Sequence, residues 1–384
     1  MRIAFFVQYN HPAGTYFRWH NMAKALQALG HQVDVYAGDH NWRQKVRIED
    51  RDGIPYSIVP SLPTVRLFYA PNDIFTALRW LFHLPKKEYD VYHLYQPFLH
   101  ASLTWNLLRY KKREAVFVYD WDDLWTGGLF QQPKGCRNRY LMWVTNRLEK
   151  KLPRCAKGVT VCSHFLKEKL SQQQNVALIF NGYWPKAVPN KRDLRLKWGF
   201  KETAFYMAYI GKTADELDWV IAAHAYIQNK ISIQVDLVIA GPPKDYVHQL
   251  LGDSVLIKNI QYLGILNTDD AGSLAAAVDL GLIPLANNAF NQSRFPVKFL
   301  DFLSVQTPVY VSKVGEIGHI AEGLTGAFAG PAEKTNWVQG LLHVVNTITT
   351  NYPERPNKDE LEPYTWLHLA QQQINFYKNL QGVS

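Results

Sequence analysis

Short apolar, β-branched runs alternate with stretches of helical periodicity along almost the whole chain. In the first half the runs cover residues 3–7, 32–36, 56–59, 91–94, 115–119, 159–162 and 176–180. That order predicts a parallel sheet joined by crossover helices. Between the first two runs, Met22, Leu26 and Leu29 recur at helical spacing, and Gly30 stands where a left-handed residue would end the helix. The chain is thus expected to open with a βαβ unit. The second half repeats the pattern at 205–210, 235–240, 260–263, 280–284, 308–312 and 326–328. Between the halves, residues 183–201 carry Pro185, Pro189 and several Lys and Arg, and read as a crossing between domains.

The expected fold class is α/β, with two Rossmann-like domains facing a central cleft. The predicted domains are 1–184 and 185–363. A helix in 364–384 packs outside the second sheet or returns to the first domain. Open α/β sheets bind ligands beyond the carboxyl ends of their strands, so function is sought in those loops.

Composition narrows the class. A chain of 384 residues suits two α/β cores, and its 47% hydrophobic and 20% charged content is that of a protein folded throughout. A net charge of +9 favours anionic partners. Nucleic acid is disfavoured, because the basic residues are scattered and no zinc-finger, helix-turn-helix or RNA-recognition pattern accompanies them. Three cysteines, Cys136, Cys155 and Cys162, include no C-x-x-C pair and support neither a disulfide framework nor a zinc site. They fit a reducing cytoplasm. The opening residues read as a buried strand rather than a signal peptide, and no run approaches transmembrane length.

The most informative stretch is SRFPVKFLDFLSVQTPVYVS, from Ser293 to Ser312. Pro296 suits the first turn of a helix. Lys298 then lies where the helix dipole disfavours a cation and welcomes an anion, so a bound phosphate would reverse that penalty. Asp301 shares a face with Lys298, which also fits a plain solvated ion pair.

This stretch resembles the nucleotide-binding segment of the retaining family-4 glycosyltransferases, of the two-domain GT-B type. Other segments match the same family in the same order. GTYFRWHNMAKALQALGHQVDV resembles the opening glycine loop, helix and second strand; DVYHLYQP resembles the fourth-strand loop; VTVCSHFLKEKL and VALIFNGYWP resemble the close of the first domain. YIGK and LVIAGPP resemble strand ends facing the donor, and YTWLHLAQQQINFY the terminal helix.

The resemblance implies a glycosyltransferase that uses a nucleotide-diphosphate-sugar donor, with retention and without a metal or other cofactor. Carried over, Lys212 after Gly211 matches a basic residue on the diphosphate, Lys298 lies in the phosphate-facing turn, and Asp301 matches the ribose-binding acid. Two positions depart from the family. Ser293 replaces a second acid, and Leu217 and Asp218 stand where a further lysine is usual; Arg294 or Lys298 would supply the missing charge. Ser293 fits a catalytic contact to the donor or a helix cap before Pro296.

In the first domain, Gly14 and Thr15 lie between the first strand and helix, where backbone N–H groups suit the diphosphate or the transferred sugar. Arg18 suits an anionic donor or acceptor, or packing on its own helix. His93 matches the family's strand-end histidine and is a catalytic candidate, with His100 nearby. His20 reads as packing. Asp120, Trp121, Asp122 and Asp123 form a literal D-x-D, the metal ligand of the other large glycosyltransferase class. That class has one nucleotide domain, so Asp120 and Asp122 are read as polar groups orienting sugar hydroxyls, with capping of the next segment as the alternative.

Residues 63–85 combine Leu67, Phe68, Ile74, Leu78 and Phe82 with Arg66, Arg79, Lys86 and Lys87. They fit a core-facing amphipathic helix, the preferred reading, or the edge of an anionic membrane. The second option brings a lipid-linked acceptor and peripheral attachment at the inner face of the cytoplasmic membrane; otherwise the acceptor is a glycan or small molecule. Rival classes are a non-catalytic sugar-nucleotide-binding protein, a nucleotide-sugar epimerase, and, last, a dinucleotide oxidoreductase, for which the G-x-G-x-x-G signature is lacking.

Overall fold

The computed structural model describes the chain apart from residues 10–13, 40–44, 61–73, 129–134, 174, 189, 212–215, 252–258, 352–353 and 383–384. It forms two compact units, Met1–Asn181 with Trp366–Ser384, and Gly182–Thr365.

The first unit is built on β1 (Arg2–Tyr9), β2 (Gln32–Gly38), β3 (Arg47–Arg51), β4 (Ile54–Val59), β5 (Val91–Tyr95), β6 (Val116–Trp121), β7 (Gly158–Val161) and β8 (Val176–Leu178). The sheet order is β3-β4-β2-β1-β5-β6-β7-β8. β1 is central, with Ile3 paired to Val33 on one side and Val91 on the other. Residues Ile3 to Val7 are wholly buried, as expected of a parallel strand covered on both faces. β3 is the one antiparallel strand among the described residues, joined to β4 through Asp52 and Gly53. Both turn residues have positive φ, 54° and 79°, the conformation of a tight hairpin turn.

The second unit contains β9 (Phe205–Ile210), β10 (Val235–Ala240), β11 (Ile260–Tyr262), β12 (Leu280–Ile283), β13 (Val309–Ser312) and β14 (Ala327–Gly330), in the order β11-β10-β9-β12-β13-β14, all parallel. Met207, Leu237, Ile239 and Leu282 pack against Val220 of the helix Leu217–Gln228 and Leu341 of the helix Lys334–Thr350.

The terminal helix Trp366–Gln381 belongs to the first unit and lies beside the helix Tyr16–Ala28. Gly158 of β7 permits this approach, because a Cβ there would stand 2.6 Å from Leu380 and 2.7 Å from Phe376. The helix Ile74–Leu81 departs from the core-facing reading. It buries Thr76, Ala77 and Trp80 and leaves Ile74, Leu78 and the following Phe82 exposed. Residues 63–73 of the same stretch lie outside the described residues.

Candidate functional site

Each sheet reverses its strand order once, between β1 and β5 in the first unit and between β9 and β12 in the second. The carboxyl ends at such reversals are where doubly wound sheets hold ligands.

At the first of these, the geometry joins residues that the sequence presents separately. Arg18, in the first turn of its helix, sits 4% exposed against Asp120 at the end of β6. Its Nε donates to Asp120 Oδ1 at 2.9 Å and its Nη2 to Oδ2 at 2.8 Å. Nη2 also donates to the Ile179 carbonyl, and Nη1 to the Phe180 carbonyl and Asn181 Oδ1. A guanidinium has five N–H donors, and all five are taken. Burial opposes the charge, but the Asp120 carboxylate overcomes that, so Arg18 holds its proton more tightly than usual.

Thr160 of β7 donates to Asp120 Oδ2 at 2.5 Å and lies 3.2 Å from His93 Nε2. His93 Nδ1 is 2.6 Å from the Tyr377 hydroxyl, which accepts from Gln373 Nε2 at the same distance. The imidazole is fully enclosed, and burial pulls its pKa from 6.5 to about 3, so it is neutral. These findings correct three expectations. Arg18 has no donor left for an anion, while Asp120 and His93 are sealed inside the unit instead of opening onto ligand. Together they fasten the terminal helix to the sheet. His100 is likewise buried, 2.8 Å from the Gln8 carbonyl, and His20 bonds Tyr56 and Asp52.

Asp122 is 5% exposed, and both carboxyl oxygens lack a hydrogen-bond partner among the described residues. Burial, then the charges of Asp123 and Asp120, push its pKa well above the usual carboxylate value. Thr15 accepts from Gln96 Nε2, and Gln96 sits at the end of β5 with φ 71°. Gly14 is also left-handed, at φ 61°, and its carbonyl accepts from Phe17.

In the second unit, β9 is followed by Gly211, whose N–H donates to the Ala240 carbonyl. Gly241 follows β10 at φ 106°, and a Cβ there would run into the Gly211 carbonyl oxygen. Lys212 lies outside the described residues. Glu216, which begins the next helix, accepts from Ala286 N–H and Asn291 Nδ2, both at 2.9 Å, tying the β9 end to the loop after β12. No sequence signal singled it out. Ser293 ends the helix Ala289–Ser293, is wholly buried, and donates to the Phe290 carbonyl. It caps no helix at Pro296; the helix Lys298–Ser304 has Val297 in that position.

The neighbouring charges are different. Arg294 is half-buried over the Phe290 ring, 4.7 Å from its centroid, and its buried Nε has no hydrogen-bond partner among the described residues. Lys298 donates to Asp301 Oδ2 at 2.8 Å, each side chain about a third exposed, at 37% and 34%. Among the described residues one of its three ammonium donors is used.

The description "Glycosyl transferase 4-like domain" matches residues 13–179, and "Glycosyl transferases group 1" matches residues 202–347. This chain belongs to the group 1 glycosyl transferases, with a 4-like domain ahead of the group 1 domain. An uncharacterized glycosyltransferase of Methanocaldococcus jannaschii is 22% identical over 240 residues, 57% of this chain and 59% of that relative. The matched stretch therefore spans under two thirds of the curated relative. Among solved structures, sucrose-phosphate synthase from Thermosynechococcus elongatus shares the fold over all of both chains, with TM-score 0.74 and 16% identity. Anabaena HepE, in complex with UDP and glucose, matches all of this chain and 98% of its own, with TM-score 0.62 and 18% identity. Both are two-domain glycosyltransferase folds, in agreement with the two parallel-dominated sheets.

Proposed function

We propose that the protein transfers a glycosyl group from a nucleotide-diphosphate sugar to an acceptor hydroxyl on a glycan, a lipid-linked sugar or a small molecule, with retention and without a metal. The observation that supports this most is the part-exposed Lys298–Asp301 pair, in the segment whose sequence resembles the family's donor-binding turn. Arg294 and Lys298, with Lys212, receive the diphosphate, and their fixed charges stabilise it as it leaves. Asp301 Oδ1 takes no bond among the described residues and accepts from the ribose. Gly211 and Gly241 keep side chains away from the β9 and β10 ends, so that donor meets backbone there. A relative of the same fold holds UDP and glucose, which makes a UDP-sugar the first donor to test.

The test is nucleotide release and donor affinity with UDP-, GDP- and ADP-sugars, for the protein and for Arg294→Ala, Lys298→Ala and Asp301→Ala. Weaker donor binding in the variants is expected; unchanged affinity in all three overturns the assignment. A second reading, binding without turnover, is favoured by Ser293, whose hydroxyl is buried and already donated where relatives usually carry an acid. Sustained nucleotide release with any acceptor excludes it.

A further inference from the structure

Three helices, Ile74–Leu81, Leu99–Lys111 and Gly135–Cys155, precede β5, β6 and β7 in turn. Right-handed crossovers between these parallel strands put them on one face of the first sheet, and they pack side by side in chain order. Each turns apolar bulk outward. Ile74, Leu78 and Phe82 recur every four residues and are 53%, 46% and 85% exposed; Tyr110 is 66% exposed and Trp143 52%. Soluble amphipathic helices turn such a stripe inward. An outward cluster on adjacent helices marks a surface that meets something else.

The charge on the same face is one-sided. Arg147, Lys150, Lys151 and Arg154 are exposed on the third helix and make no ion pair among the described residues. Arg147 lies over the Trp143 ring, 4.3 Å from its centroid. The helix carries one carboxylate, Glu149, which is buried and accepts from Trp121 Nε1 and from the Trp125 and Thr126 N–H groups. It therefore does not neutralise the cations. Lys150 and Arg154 share a groove with Lys169, Ser171 and Gln172. Elsewhere in the unit Lys112 holds Glu88, and Glu114 and Glu168 are exposed.

We infer that this three-helix face docks on an anionic lipid surface, Leu78, Phe82, Tyr110 and Trp143 entering the boundary between headgroups and acyl chains while Arg147, Lys150 and Arg154 meet lipid phosphates. Charge complementarity selects the occupant. A nucleic acid would use the cations and leave Ile74, Leu78 and Phe82 in water, whereas an anionic bilayer takes apolar bulk and cations together. The inference stands apart from the donor reading, because none of its residues lies in the second unit.

The experiment is co-sedimentation of the full chain with vesicles of phosphatidylcholine alone or mixed with phosphatidylglycerol. Binding to the mixed vesicles that weakens with salt is expected, with little binding to phosphatidylcholine alone. Replacing Arg147, Lys150 and Arg154 together by Ala should weaken it on the order of a hundredfold, roughly fivefold per charge. Leu78→Ser with Phe82→Ser should weaken it as well while leaving its salt dependence in place. All these positions are exposed, so an unchanged melting temperature verifies that each variant is folded. No binding to either vesicle, equal binding to both, or folded variants that bind like the parent overturns the inference.

Discussion

Two polar regions of this protein use the same residue types to opposite ends. Around Arg18 in the first unit, every guanidinium donor has an acceptor, the carboxylate of Asp120 receives three bonds, and water is excluded. Around Lys298 in the second, a part-exposed cation uses one of its three ammonium donors among the described residues, on Asp301. A buried charge with all its partners present holds structure together, since losing one partner strands the other in a low-dielectric site. A half-exposed charge with donors left over contributes little to folding and is available to a ligand. What distinguishes the two is satisfaction, not residue identity.

The comparison breaks most visibly at Asp120. Asp120→Ala leaves the Arg18 charge buried and unpaired and should lower stability by about 3–5 kcal/mol. Urea unfolding reads this directly; a loss below 1 kcal/mol would mean that the network does not hold the unit together.

Acid tests the same region through His93. The unfolded imidazole takes up a proton below pH 6.5, while the folded one refuses it until about 3. The contribution of His93 is thus fully present above pH 6.5 and is lost as pH falls from 6.5 toward 3, at roughly 1.4 kcal/mol per pH unit. Unfolding midpoints measured across that window should slope less in His93→Gln, and identical slopes would show that His93 is not a source of the acid sensitivity.

Tyr377→Phe is a smaller probe. It removes the hydroxyl that meets both His93 and Gln373, and should cost about 1–3 kcal/mol. Protection of the amides of the terminal helix in hydrogen exchange should fall with it, because that hydroxyl is one of the bonds joining helix to sheet.

The second region should answer in reverse. Lys298→Ala should change stability by no more than about 0.5 kcal/mol, the scale of an exposed ion pair three residues apart. Its donor affinity should nevertheless fall roughly tenfold or more, the value of one hydrogen bond to a charged group. Calorimetry with UDP beside a thermal melt separates the two effects. A large stability loss with unchanged affinity would place Lys298 in the same structural class as Arg18.

Most of the fold was legible as local pattern. Buried parallel strands such as β1, β5, β9 and β10 are continuous apolar runs because both their faces are covered, and the helices between them follow from the crossovers that parallel pairing requires. β3 was missed. Its residues, Arg47 to Arg51, include only one apolar side chain, and its place depends on pairing with β4 across Asp52 and Gly53. The Asp-Gly pair was the available signal, and it marks a turn more surely than it marks an edge strand.

The candidate site divides along the same line. Lys298 and Asp301 were legible because they are three residues apart on one short helix, and local spacing dictates their contact. Arg18, His93, Asp120, Thr160 and Tyr377 come from five elements spread over most of the chain, so only strand order and the return of the last helix bring them together. Apart from β3, the sequence by itself determined which segments become strand or helix, the parallel pairing within each sheet and the local ion pair, since each rests on periodicity or near-neighbour geometry. Tertiary structure alone decided that Arg18 is saturated and that the apolar stripe Ile74, Leu78 and Phe82 faces outward. Burial and hydrogen-bond satisfaction depend on what other elements deliver to a side chain, and no spacing within one element encodes that.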